Sequence, residues 1–179
     1  MRFPIVLAVM ASSVTANAEV TASSDAGFAT HNEALVDASP AKVWAEMVKP
    51  AGWWNREHTW SGNAANLTLE PVAGGCFCER LPGGGSVQHL QVVYAAPGAT
   101  LRLSGGLGPL QSEALAGTLT MTLKPEGRMT RITWDYVVGG YMRMPMAQMA
   151  PLVDQVVGEQ LIHLAAKLGK VVDPAARRP

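Results

Sequence analysis

A carboxylate set among apolar residues of a strand is a candidate for proton transfer, and Glu79, in the run Cys76-Phe77-Cys78-Glu79-Arg80, is one. Strand alternation puts it on the side of Phe77, where desolvation raises a carboxyl pKa into the range of a general acid or base. The alternative is a carboxylate at a sheet edge, paired with Arg80 or Arg102 or solvated at a pocket mouth. His58 stands in Trp53-Trp54-Asn55-Arg56-Glu57-His58-Thr59-Trp60, three tryptophans within eight residues. Such a loop either stacks on a flat ligand at a cavity entrance, with His58 donating to a ligand oxygen, or plugs the core. The candidate catalytic pair is therefore Glu79 as base, with His58 or Tyr136 polarising a carbonyl.

Cys76 and Cys78 are the only cysteines. In a regular strand, positions i and i+2 lie about 6.5–7 Å apart at Cα, the outer limit of disulfide geometry. A bridge here needs a bulge, which Gly74-Gly75 would supply; a reversible redox pair is the other reading. If Pro82-Gly83-Gly84-Gly85 is a four-residue hairpin loop, Leu81 pairs with Ser86, Glu79 faces Gln88, Phe77 faces Leu90 and Cys78 faces His89. That register turns Cys76, Cys78 and His89 outward, and with His58 they would form a thiolate and imidazole metal site. Met142, Met144, Met146 and Met149 add soft ligands of the kind that suit Cu(I), or else form an adaptable lip on an apolar pocket. The pocket reading is preferred, and no metal or cofactor is assigned.

Other chemistries have no support. Leu103-Ser104-Gly105-Gly106-Leu107-Gly108-Pro109 lacks the lysine and serine of a phosphate loop, and there is no Gly-x-Ser-x-Gly elbow or His-Glu-x-x-His helix. His31 and His163 read as structural or surface residues. Lysine plus arginine and aspartate plus glutamate each number 14, which gives no electrostatic footprint for nucleic acid.

The elements that must position these residues follow from periodicity. Arg2, an apolar run from Pro4 to Ala11 and Ala16-Asn17-Ala18 describe a signal peptide, residues 1–18, cut before Glu19. The mature chain is then soluble, unanchored and periplasmic or secreted. Residues 19–27 are small and polar and predict a flexible leader, 28–170 one domain, and 171–179 a disordered tail. Phe28 to Val36 predicts a strand, and Ser39-Pro40 caps a helix carrying Val43, Trp44 and Met47. From Asn66 to Val138 the period is two, punctuated by glycine and proline, which predicts about six antiparallel strands. Leu101, Leu103, Leu115, Leu119, Met121, Leu123, Ile132, Trp134, Tyr136 and Val138 share an apolar face, against Arg102, Thr118, Thr120, Thr122, Thr133 and Asp135 on the other. Pro151 opens the helix that covers this face, with Val153, Val156, Val157, Leu161, Leu164 and Leu168 on one stripe.

Val36-Asp37-Ala38-Ser39-Pro40-Ala41-Lys42-Val43-Trp44, Trp53-Trp54, Gly74-Gly75 with an aromatic two residues on, and Gly85-Ser86-Val87 together resemble the SRPBCC, or START-like, superfamily. The likeness spans roughly Phe28 to Leu168 and is to the branch of the Hsp90 ATPase activators and to polyketide cyclases. The resemblance implies an α+β helix-grip fold, a curved antiparallel sheet of about seven strands around a long C-terminal helix with an internal cavity. It implies binders, transporters and enzymes alike. The expected ligand is a hydrophobic or aromatic small molecule, held by Trp53, Trp54, Trp60, Phe77, Gln88, Leu90, Leu103, Met121, Trp134, Tyr136, Tyr141, Met142 and Met146. The expected function is a non-catalytic exported binding protein; the alternative is a cyclase or dehydratase using the pocket carboxylate. Co-chaperone action is disfavoured by the signal peptide, which takes the chain away from cytosolic ATP.

Overall fold

In the computed structural model, residues 17–169 and 171–172 are described. Most of the signal-peptide segment lies outside them, as do Lys170 and residues 173–179. The period-two region folds as β3 (Leu67–Leu69), β4 (Cys76–Arg80), β5 (Ser86–Ala96), β6 (Thr100–Gly105), β7 (Ala114–Glu126) and β8 (Met129–Tyr141). Before them come β1 (Asn17–Ser24), β2 (Gly27–Val36) and α1 (Pro40–Met47); after them come α2 (Met146–Lys167) and β9 (Val171–Val172). One antiparallel sheet runs in the order β1-β2-β8-β7-β6-β5-β4-β3, with β9 pairing with β2. The fold is α+β, a curved sheet gripping a long C-terminal helix.

Two strands exceed the expectation. Residues 19–24, read as a flexible leader, belong to β1, which pairs with β2 from Asn17 opposite Glu33 to Ser24 opposite Gly27. Val171 and Val172, read as the start of a disordered tail, pair with Val36 and Leu35 on the same strand. Both satisfy backbone groups along an edge of β2 that β8 leaves open.

The face assignment holds. Leu101, Leu103, Leu119, Met121, Leu123, Ile132, Trp134, Tyr136 and Val138 are buried, Leu115 is half-buried, and α2 brings the buried Val153, Val157, Leu161 and Leu164 to the same core, with Leu168 just past its end. The tyrosine ring of Tyr136 lies so close over β7 that a Cβ on Gly117 would sit 2.5 Å from it. Ser39 caps α1 as expected, its Oγ accepting from Lys42 N at 3.4 Å. The C-terminal helix begins at Met146, not at Pro151, which lies inside it. Pro151 is the sixth helical residue, so α2 there forgoes the bond that a backbone N–H would make to Ala147 O, within its second turn. The predicted methionine lip is thereby split. Met146 is buried in the core and Met149 half-buried in the same helix, whereas Met144 is exposed before it.

Candidate functional site

Glu79 points inward from β4 beside Phe77, as the alternation requires, and its side chain has no solvent exposure. Its carboxylate is saturated with donors: Trp60 N at 3.1 Å, Ser61 N at 2.5 Å and His89 Nε2 at 2.9 Å. Burial pushes the Glu79 pKa up, but the hydrogen bonds from Ser61, Trp60 and His89 outweigh it and hold the carboxyl below its ordinary value. The expected raised pKa is therefore corrected. Glu79 is an ionised acceptor that ties the tryptophan loop to the sheet.

His89 is the residue the register misplaced. The β4–β5 loop takes one residue more than expected, so that Arg80 pairs with Ser86, Glu79 with Val87 and Cys78 with Gln88. The register then shifts, and Phe77 pairs with Leu90, leaving His89 as the extra residue of a β-bulge. His89 and Leu90 are consequently both buried, while Gln88, expected in the cavity, is exposed. One sequence signal pointed to this: apolar Val87 and Leu90 stand an odd number of positions apart, which a regular half-buried strand does not allow.

Burial pushes the His89 pKa down, and the Glu79 hydrogen bond only partly opposes it, so the imidazole is neutral at physiological pH. Because an ionised carboxylate can only accept, Nε2 carries the proton and Nδ1 bears the lone pair. That Nδ1 is buried and has no hydrogen-bond partner among the described residues.

His89 lines a cavity of about 340 Å³ beneath the tryptophan loop. Its walls are Trp54 and Trp60 from the loop, Leu107 and Pro109 from the turn after β6, and Met149, Leu152, Val153, Val156 and Val157 from α2. His58 and Thr59 stand at the same wall. The loop is stapled to α2 as well as to Glu79. Asn55 N donates to Gln160 Oε1 at 2.7 Å, Asn55 Nδ2 donates to Glu159, and His58 Nε2 lies 3.0 Å from Glu159 Oε2. Burial raises the Glu159 pKa, yet the Asn55 and His58 hydrogen bonds prevail and lower it. His58 is thus a hydrogen-bond partner of Glu159 at the rim.

The remaining candidates divide by depth. Trp54 is buried and cavity-lining, and Trp60 is 56% exposed at the mouth. Trp53 lies deeper, its Nε1 donating to Glu46 O at 3.0 Å and its ring 5.7 Å from that of Trp134. Trp53, Phe77, Leu90, Leu103, Met121, Trp134, Tyr136 and Met146 are core residues away from the cavity wall. They pack where the sheet curves onto α2, and the cavity opens instead between the helix and the loop. Tyr141 is 70% exposed and Met142 packs half-buried against the core. Tyr136 cannot polarise a carbonyl: its hydroxyl donates to Gly105 O and accepts from Leu107 N, each at 3.1 Å, and burial pushes its pKa up to about 12.

Cys76 and Cys78 form a disulfide, with Cα atoms 5.3 Å apart. The contraction coincides with the register shift opposite His89, so the bulge lies in β5 and not at Gly74-Gly75. Oxidised cysteines and an inward His89 take apart the thiolate and imidazole cluster that stood as the less favoured reading. His31, for which the sequence identified no partner, lies 2.7 Å from Asp135 across β2 and β8.

No protein-family model matches this chain, and no curated protein does. Solved structures do resemble it. A protein from Arthrobacter aurescens matches over 89% of this chain and 94% of its own, at a TM-score of 0.57 and 20% identity. A Rhizobium loti protein, Mll3558, matches over 78% and 96% at a TM-score of 0.57 and 22% identity. CalU16 from Micromonospora echinospora matches over 89% and 88% at a TM-score of 0.55 and 15% identity. At these identities the likeness shows the shared α+β fold alone.

Proposed function

We propose that this chain is an exported helix-grip protein of the SRPBCC, or START-like, kind that holds a compact hydrophobic or aromatic molecule under the tryptophan loop. The observation that carries this reading is the cavity of about 340 Å³, apolar on its loop and helix walls, with the buried His89 imidazole among its lining residues. Its volume is at the lower end for ligand pockets, which suits a molecule of one to three rings. Trp54 offers a fixed stacking surface and Trp60 an exposed one at the mouth. Export is supported by the N-terminal pattern, and a disulfide is at home in an oxidising compartment.

Native mass spectrometry of the protein purified from its own compartment tests the reading, together with titration by the apolar fluorophore N-phenyl-1-naphthylamine. A co-purifying apolar molecule and saturable binding of one fluorophore per chain are expected, weakened by Leu152→Glu. Leu152 is exposed at the cavity, so that substitution leaves the core intact. Absence of saturable binding, or binding indifferent to Leu152→Glu, would remove the cavity as the site.

A further inference from the structure

The cavity holds a polar arrangement that a purely apolar ligand does not use. Glu79 is ionised, fully buried and fixed by two backbone N–H groups from a different segment, Trp60 and Ser61. It takes the Nε2 proton of His89, which fixes one tautomer and leaves Nδ1 as a lone pair without a partner among the described residues. The ring is fixed from the sides as well. Phe77 packs 5.2 Å away between ring centroids, and the bulge holds the backbone in place. A buried carboxylate that orients an imidazole whose second nitrogen stays free is the arrangement of a general base with its orienting group.

We infer that His89, positioned by Glu79, is a general base for a weakly acidic hydroxyl, phenolic or enolic, on an otherwise apolar molecule bound in this cavity. The inference rests on the pocket reading above and names its substrate class. In the step, the O–H bond of the hydroxyl breaks and its electron pair remains on oxygen. The proton passes to Nδ1, and the imidazolium formed is held through Nε2–H against the Glu79 carboxylate. His89 is the catalytic residue and Glu79 the positioning residue. The lowered His89 pKa keeps the imidazole unprotonated near neutrality, and the Glu79 hydrogen bond and charge, which oppose that lowering, stabilise the imidazolium once it forms. An alcohol is too weak an acid for an imidazole to deprotonate, and a carboxylic acid arrives already ionised and faces Glu79. Phenols and enols lie between these limits.

4-Nitrophenol tests this, because its neutral and ionised forms absorb at different wavelengths. Binding is read by quenching of tryptophan fluorescence and proton position by the absorbance of the bound molecule, at a pH about one unit below the solution midpoint of the phenol. The full mature chain is expected to bind it and to raise its ionised-to-neutral ratio measurably over that free in solution. His89→Gln keeps an amide donor for Glu79 but has no basic nitrogen. It should still bind the phenol while leaving it neutral, and His89→Leu should do the same if the first variant folds poorly. Glu79→Gln should bind with an intermediate ratio. Binding without enrichment of the ionised form in the natural chain overturns the general-base assignment and leaves the pocket standing. Enrichment that persists in His89→Gln also overturns it. Failure to bind at all overturns the pocket reading and this inference together.

Discussion

His89 Nε2 lies 2.9 Å from Glu79 Oε2 because β5 carries one residue more than β4 between their paired positions. In an unbulged hairpin the imidazole would face solvent beside Cys78, and Glu79 would look across at Gln88. The extra residue exchanges an amide for an imidazole on the cavity wall. The same carboxylate holds Trp60 N and Ser61 N, so the base and the loop that roofs the cavity share one anchor.

Removing that anchor should be felt in stability. Glu79→Ala leaves three donors without their acceptor, and a buried unsatisfied donor costs about 1–3 kcal/mol. Since the two backbone groups can partly recover water at the rim, a loss of about 3 kcal/mol is expected by urea unfolding. Glu79→Gln keeps an acceptor and should lose about 1–2 kcal/mol, the strength that a charge adds to the hydrogen bonds. Equal losses in the two variants would mean that the charge, not the hydrogen bonding, dominates.

The pH dependence of stability has opposing parts whose signs follow from the pKa directions. Glu79 is held below its ordinary value of 4.5, so its contribution is complete above that pH and is lost as pH falls through the lower folded value. His89 is held below 6.5, so the unfolded chain takes up its proton first and stability declines as pH drops beneath 6.5. Asp154 runs the other way. Burial between β2 and α2 raises its pKa above 3.8, against an Asn32 hydrogen bond of 3.1 Å, so it stabilises at low pH and loses that contribution as pH rises through the folded value. Asp154→Asn should therefore be more stable than the natural chain at pH 7, and Glu79→Gln should flatten the acid limb. Midpoints of thermal unfolding from pH 3 to 8 check both signs.

The tryptophans should separate by role. Trp53 is buried against Trp134 and away from the cavity, so Trp53→Ala should cost the roughly 3–5 kcal/mol of a large core truncation. Trp60 is more than half exposed, and Trp60→Ala should leave unfolding nearly unchanged while weakening N-phenyl-1-naphthylamine binding about fivefold to tenfold. Parallel unfolding and binding titrations distinguish the two. A stability loss in Trp60→Ala as large as in Trp53→Ala would make the whole loop core.

The sheet was legible because its strands alternate cleanly. Leu119, Met121 and Leu123 are inside, and Thr118, Thr120 and Thr122 outside, as period two requires. The site was less so. Glu79 was identified from its inward position, but its pKa depends on Trp60 N and Ser61 N, nineteen and eighteen residues away, and no local pattern reports backbone donors from a folded-back loop. His89 was missed because a bulge changes faces without changing composition. The cavity lies against α2 and the loop instead of deep in the sheet because Trp53, Phe77 and Trp134 fill the sheet's concave side, a matter of volume that alternation does not encode.

The disulfide supplies the most discriminating test of how the bulge is held. It closes a loop of only three residues, so chain entropy accounts for about 1–2 kcal/mol of stabilisation. Its geometric effect is larger relative to that energy: Cys76 and Cys78 lie 5.3 Å apart at Cα, against about 6.5–7 Å for the same spacing in a regular strand. Reduction allows β4 to lengthen just where the partner strand carries its extra residue, and the bulge that turns His89 inward loses its template. Cys76→Ser/Cys78→Ser, or the reduced natural chain, is expected to lose about 1–2 kcal/mol of stability but most of the enrichment of ionised bound 4-nitrophenol. Unchanged ionisation alongside the stability loss would show that the Glu79–His89 hydrogen bond holds the bulge without help from the sulfurs.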